Sequence, residues 1–223
     1  MKQLAKDLYL LRGFPPDAIN VYLAQDVLID AATRQGERRI MRQIRDRPVR
    51  AHALTHAHPD HQGASHAICE SLQIPLWCGE RDVHAMETPG AISNSQAPGW
   101  MNWFQQRFWT GPPHPVARPL KEGDDVAGFE VLEVPGHSIG HVAYWRESDR
   151  VLILGDVLNG MNVRTGRRGL HEPPEIFTPD PVRNRASARR LAALEPELVC
   201  FGHGPPLRDP AELQRFIAAL PVD

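Results

Sequence analysis

The chain has 223 residues, 42% of them hydrophobic, enough to bury the core of a single domain spanning residues 1–223. A formal net charge of −2 and no long basic block argue against a nucleic-acid groove. Lys2, Lys6, Asp7 and Arg12 break up the first fourteen residues, so no signal-peptide core is present there, and no run of about 18 apolar residues occurs elsewhere. Three cysteines (Cys69, Cys78 and Cys200) without a CxxC pair read as buried reduced thiols, which gives the expectation of a cytoplasmic protein without a membrane partner.

In chain order, residues 20–30 predict an opening strand pair, and Gly36 to Arg47 an exposed basic helix with a solvated charged face. The run from Val49 to Leu54 reads as a buried strand. It leads into His56-Ala57-His58-Pro59-Asp60-His61, four candidate metal ligands in six residues. Neutral imidazole nitrogen and hard carboxylate oxygen together suit Zn²⁺ or a neighbouring first-row ion. His56 and His58 can point the same way from an extended turn, whereas Asp60 and His61 come one bend later and can face a second ion. A helix over Ala64–Leu72, a strand over Leu76–Cys78 and a helix over Glu80–Met86 follow, and this strand-then-helix order fits a layered α/β architecture.

Thr88 to Pro119 reads as an inserted element (about 88–119) flanked by Pro112, Pro113 and Pro115. Trp100, Trp103, Phe104 and Phe108 fall at i, i+3, i+4 and i+8, one face of a helix. That face has three readings: packing against the core, a hydrophobic lid over the metals, or a homodimer contact. Three further apolar runs each end in a Gly-flanked ligand type: Val131–Val134 before Gly136-His137, Val151–Leu154 before Gly155-Asp156, and Leu198–Phe201 before Gly202-His203-Gly204. Each presents one ligand at the tip of a rigid strand. Ser138 and His141 are candidates for orienting a ligand. Between Leu158 and Asp180, Arg164, Arg167 and Arg168 can meet an anionic substrate group or serve solubility, with Glu172 and Glu175 diluting their charge.

The order His-x-His-x-Asp-His, Gly-His, Gly-Asp, Gly-His resembles the metallo-β-lactamase superfamily over nearly the whole chain, from Asn20 to the final helix after Pro210. The resemblance implies a four-layer αβ/βα sandwich with the metals at one edge between two sheets. Carried over by position, it implies that His56, His58 and His137 hold a first ion, Asp60, His61 and His203 a second, and that Asp156 bridges them. Two divalent ions about 3.5–4 Å apart, Zn²⁺ foremost with Fe²⁺ or Mn²⁺ also accommodated, would share a water and make it a hydroxide nucleophile. Asp60 would then orient it and accept a proton as the catalytic residue.

Departures from individual branches narrow the substrate. β-Lactamases of the superfamily carry Cys or Ser where this chain has Asp156. Glyoxalase II enzymes carry a Gly-Cys-Gly-Arg stretch that is absent here, together with a C-terminal glutathione-binding region for which twenty residues after His203 leave little room. Lactonases carry a Tyr at the position of Asn159. The expectation is a glyoxalase II-like binuclear hydrolase of a small ester, thioester or lactone. Its rivals are a mononuclear iron persulfide dioxygenase, a phosphodiesterase or nuclease of the same fold, and a metal-binding protein without turnover.

Overall fold

The first strands form a seven-stranded sheet in sequential order, seen in a computed structural model that describes residues 1–92 and 99–221. These strands are β1 (Lys2–Ala5), β2 (Leu8–Leu10), β3 (Tyr22–Ala24), β4 (Val27–Ile29), β5 (Ala51–Ala53), β6 (Leu76–Gly79) and β7 (Val116–Leu120). Pairing is antiparallel from β1 to β4 and parallel from β4 to β7. A second sheet contains β8 (Asp125–Val126), β9 (Phe129–Glu133), β10 (Val142–Arg146), β11 (Val151–Gly155) and β14 (Leu198–Phe201), in the order β14-β11-β10-β9-β8. Between β11 and β14 runs a small hairpin of β12 (Asn159–Met161) and β13 (Arg168–His171).

Both sheets are covered on both faces, which is why their strands read as apolar runs rather than clean alternations. Tyr22, Ala24, Val27, Ile29, Ala51 and Ala53 of the first sheet share one cluster with Val131, Val142, Tyr144, Val151 and Ile153 of the second. The opposite face of the first sheet, at Leu23 and Leu28, packs on Ile40 and Ile44 of α1 (Glu37–Ile44) and Ile68 of α3 (Ser65–Leu72). Leu132, Leu152, Leu154 and Val199, on the outer side of the second sheet, meet α6 (Pro181–Ala192) and α7 (Pro210–Ala219) through Ala188, Leu191 and Leu213. The layers are therefore helix, sheet, sheet, helix. Asp180 and Asp209 cap α6 and α7, each followed by a proline at the first helical position, where no N–H is needed.

Several elements differ from the sequence reading. The strand pair in 20–30 forms as β3 and β4, but β1 and β2 precede it. Their alternation is masked by Lys2, Lys6 and Asp7, and charge suits an edge strand that must not recruit further partners. The basic helix is amphipathic, since Ile40 and Ile44 are buried. Glu80–Met86 divides into a 3-10 turn at Glu80–Asp82 and α4 (Val83–Glu87). Val116 to Pro119 belong to β7 and not to an insert, and residues 93–98 of that stretch lie outside the described residues. Among the described residues no helix is long and apolar enough to cross a membrane.

The aromatic helix forms as α5 (Trp100–Phe108), turned opposite to core packing. It buries Asn102 and Gln105, while Trp100 and Trp103 are 74% and 64% exposed. Periodicity puts the rings on one face but does not say which face turns inward. All three cysteines are buried and free.

Hydrogen bonds tie the two sheets together at the ends where the ligand loops begin. Tyr144 Oη donates to Leu54 O (2.6 Å), and Tyr22 Oη to Phe201 O (2.7 Å). Asn20 Nδ2 donates to Phe201 O (2.9 Å) and Gly204 O (2.7 Å), and Val142 N to Thr55 O (2.8 Å). Burial raises both tyrosines well above their ordinary pKa, so they remain donors. Tyr22→Phe removes one donor while Asn20 still satisfies the carbonyl, so stability should fall by about 1 kcal/mol. Urea unfolding measures this, and an unchanged midpoint would show that the bond contributes nothing to the sheet-to-sheet tie.

Candidate metal centre

Each predicted ligand sits just beyond a strand. The loop after β5 carries His56 and His58. His58 is the N-cap residue of α2 (Pro59–Gln62), and Pro59 at the first helical position starts the turn that presents Asp60 and His61. Asp156 follows β11 directly, and His137 and His203 lie a few residues after β9 and β14. Two glycines permit the approach. Gly136 has φ +138°, and a Cβ there would stand 2.2 Å from Asn184 N. A Cβ at Gly202 would stand 2.0 Å from Asp156 Oδ1.

The structure brings all seven predicted residues together. Three sets each have their ligand atoms within 4.8 Å of one another: His56, His58 and His137; His56, His61 and Asp156; Asp60, His61 and His203. Asp156 is central, its Oδ2 lying 3.1 Å from His203 Nε2 and 3.6 Å from both His61 Nε2 and His137 Nε2. Asp60 Oδ2 lies 3.3 Å from His203 Nε2. Such separations are those of atoms able to share a cation with bonds of about 2.0–2.2 Å.

The tautomers of four histidines follow from their partners. His61 Nδ1 faces Asp30 Oδ2 (2.9 Å), and a carboxylate only accepts, so the ring nitrogen donates. Thr55 Oγ1 donates to Asp30 Oδ2 (2.9 Å) and therefore accepts from His56 Nδ1 (3.1 Å). Thr178 Oγ1 donates to Pro174 O and accepts from His137 Nδ1, both at 3.1 Å. His203 Nδ1 donates to Ala18 O. In the neutral form of each ring Nε2 would carry the lone pair, the arrangement in which outer partners orient metal-binding imidazoles.

The Nε2 atoms of His56, His61 and His137, and Oδ1 of Asp156, are buried with no hydrogen-bond partner among the described residues. Leaving such groups unmet costs about 1–3 kcal/mol each, and a cation would satisfy all four. The donor set therefore fits divalent metal. Burial, then the neighbouring imidazoles, lowers His56 well below its ordinary pKa, and burial, then His58, does so for His137. For His203 burial acts downward, but Asp156 outweighs it and pushes the ring up to about 10. Burial would raise Asp156, yet His203 and His61 hold it well below the usual carboxylate range. Protons thus balance the two carboxylates when no cation does so, and a bound metal would displace them.

Sequence reasoning missed four residues that hold the candidate ligands: Asp30, Thr55, Asp82 and Thr178. Asp30 accepts from Thr55 N (2.8 Å) as well as from Thr55 Oγ1 and His61. Asp82 accepts from Ala57 N (2.9 Å) and Gly140 N (3.1 Å), so one carboxylate clasps the His56–His61 loop to the loop after His137. Burial pushes its carboxyl up to about 6 against the pull of those two amides. Thr178 takes the role expected of Ser138, whose Oγ has no hydrogen-bond partner among the described residues. Asp30 could have been found, because it follows an apolar strand as the ligands do; nothing in the sequence marks Asp82 or Thr178. His141 does act here, its Nε2 accepting from Asp156 N (3.2 Å).

Arg164, Arg167 and Arg168 stay exposed, with Arg168 paired to Asp17 at 3.3 Å and Glu172 paired to Arg185 at 2.7 Å. Asn162, Arg164, Pro174 and Ile176 line an open groove of about 480 Å³. Pro174 joins this groove to the metal cluster through Thr178 and His137.

Asp30→Asn keeps the shape but takes an acceptor from either His61 or Thr55, so metal affinity should drop 10–100-fold. Chelator competition on the folded variant measures it, and wild-type affinity would remove Asp30 from the centre's support.

A family model described as "Metallo-beta-lactamase superfamily" matches residues 14–203. The chain is 30% identical to "Probable metallo-hydrolase YflN" of Bacillus subtilis (strain 168), over 88% of this chain and 84% of that protein. It is also 30% identical to a hydroxyacylglutathione hydrolase of Bdellovibrio bacteriovorus, over 48% of this chain but only 34% of that enzyme. Among solved structures, "TTHA1623 in a di-iron-bound form" is 32% identical, covers 96% of both chains and superposes with a TM-score of 0.64. With its four layers, its strand-tip ligands and this match to the family model, the chain belongs to the metallo-β-lactamase superfamily.

Proposed function

We propose that the protein is a binuclear metallohydrolase that cleaves an ester, thioester or lactone bond of a small molecule. The observation that carries this reading is the convergence of buried, unpartnered Nε2 atoms around a central Asp156 carboxylate. His56, His58 and His137 would hold one ion and Asp60, His61 and His203 the other, with Asp156 between them. Two bound divalent ions would supply ionised water at neutral pH and polarise the scissile carbonyl.

The chain's own groups do the rest. Asp60, its side chain 14% exposed against 0% for His61 and 6% for Asp156, is the most open carboxylate of the cluster. It can orient the attacking water and accept its proton. Asp30, Thr55 and Thr178 hold the imidazoles aimed at the centre. Exposed apolar side chains at Ile139, two residues past His137, and at Val163 and Ile176 along the groove suit an apolar acyl group. The partial likeness to a hydroxyacylglutathione hydrolase supports thioesters as the first class to assay.

Elemental analysis of freshly purified protein should give two equivalents of metal bound by this centre, and thioester or lactone hydrolysis should be abolished in Asp60→Ala together with loss of the second ion. Wild-type turnover in that variant would remove Asp60 from the mechanism. A single iron, with oxygen consumed on persulfide and no hydrolysis, would replace this reading with sulfur oxidation. Trp103→Ala should shift KM between apolar and polar acyl substrates with little change in Tm, because the ring is exposed; a collapse in Tm without a kinetic effect would make Trp103 a packing residue.

A further inference from the structure

A second group of metal-ligand side chains lies apart from the seven. His66 and Glu70 stand four residues apart on α3, on one face of that helix, and His114 comes from the segment just before β7. Their ligand atoms lie within 4.8 Å of one another. His114 Nδ1 is 3.2 Å from His66 Nδ1 and 3.9 Å from Glu70 Oε1. His114 is 9% exposed and its backbone is fixed by a 2.9 Å bond from its N–H to Met86 O. None of the three touches the ligand loops through any hydrogen bond described above.

From this geometry we infer a peripheral divalent-cation site with two imidazoles and one carboxylate, suited to Zn²⁺ and leaving at least one position for water. Two nitrogens sharing a tetrahedral zinc at about 2.0–2.1 Å stand roughly 3.3–3.4 Å apart, close to the observed separation of the two Nδ1 atoms. Glu70, with its side chain 59% exposed, is free to swing the last few tenths of an ångström to complete the set. His114 is already disposed to bind, because burial and the His66 ring lower its pKa and keep it neutral. The alternative for the pair is a bond between neutral imidazoles, one donating and one accepting, which needs neither Glu70 nor metal.

Location gives the site a consequence. α3 follows α2, which carries Asp60 and His61, and His114 follows α5, whose end packs on the end of α2: a Cβ at Gly63 would stand 2.4 Å from Trp109 O. An ion here would staple the helix behind the ligand loop to the segment after the aromatic helix. It acts as a structural or modulatory ion, separate from the reaction centre.

The test is equilibrium dialysis of chelator-stripped full-length protein against micromolar free Zn²⁺, with elemental analysis and thermal melts of wild type, His66→Ala and Glu70→Gln. The expected result is one zinc equivalent fewer in His66→Ala than in wild type, and at least tenfold weaker binding of that equivalent in Glu70→Gln. Zinc should raise the Tm of wild type more than that of either variant. Equal stoichiometry and equal zinc-induced Tm shifts in all three proteins would overturn the site and leave the neutral imidazole pair. Glu70→Gln changes an exposed side chain, so the comparison holds even where His66→Ala folds poorly. Loss of zinc from the seven-residue centre would instead appear equally in all three proteins, which separates a failure there from a failure here.

Discussion

One buried carboxylate, Asp30, organises the candidate metal centre. Its two oxygens accept from Thr55 N, Thr55 Oγ1 and His61 Nδ1, and through Thr55 it fixes His56 as well. Two ligands from opposite ends of the His56–His61 run are thus turned Nε2-outward by a single side chain from a different strand. The backbone at Asp30 has φ +60°, a region that non-glycine residues enter at a cost but which Asp tolerates better than most. Its position at the tip of β4 follows from parallel pairing with β5, which places the two strand ends side by side.

The cluster can assemble only because the two sheets are locked at the same end. Val142 N to Thr55 O, Tyr144 Oη to Leu54 O, and the Asn20 and Tyr22 bonds to Phe201 and Gly204 cross between them. Asp82 adds a clasp between the loop that carries His56, His58, Asp60 and His61 and the loop that carries His137. Candidate ligands from four separate chain segments are thereby held together by the fold alone. Such preorganisation explains why buried nitrogens can stand unpartnered in the fold: packing and outer hydrogen bonds hold them there, and a bound metal would offset the energetic cost.

Around this fixed centre the surface is looser in design. Aromatic rings on α5, Ile139 beside the His137 loop, and the groove between the β12–β13 hairpin and Pro174 differ from the interior in being open to solvent. Under the proposed function these groups would select the substrate, and the groove is tied to the centre through Pro174, Thr178 and His137.

The sequence by itself marked the seven residues that converge, the strand that precedes each, the layered fold and the family, because strand tips and glycine turns are local chemistry that spacing exposes. The helix at Trp100–Phe108 was also legible as a helix. Tertiary structure alone decided that its aromatic face turns outward and that Asn102 and Gln105 turn in, because periodicity is symmetric with respect to the core. It likewise decided the roles of Asp30, Asp82 and Thr178, and the relief of Ser138 from the task expected of it. Asp30 reaches Thr55 across 25 residues of chain, Asp82 reaches Gly140 across 58, and Thr178 reaches His137 across 41. Hydrogen bonds over such separations exist only once the sheets have brought distant loops to one edge, so no local pattern can announce them.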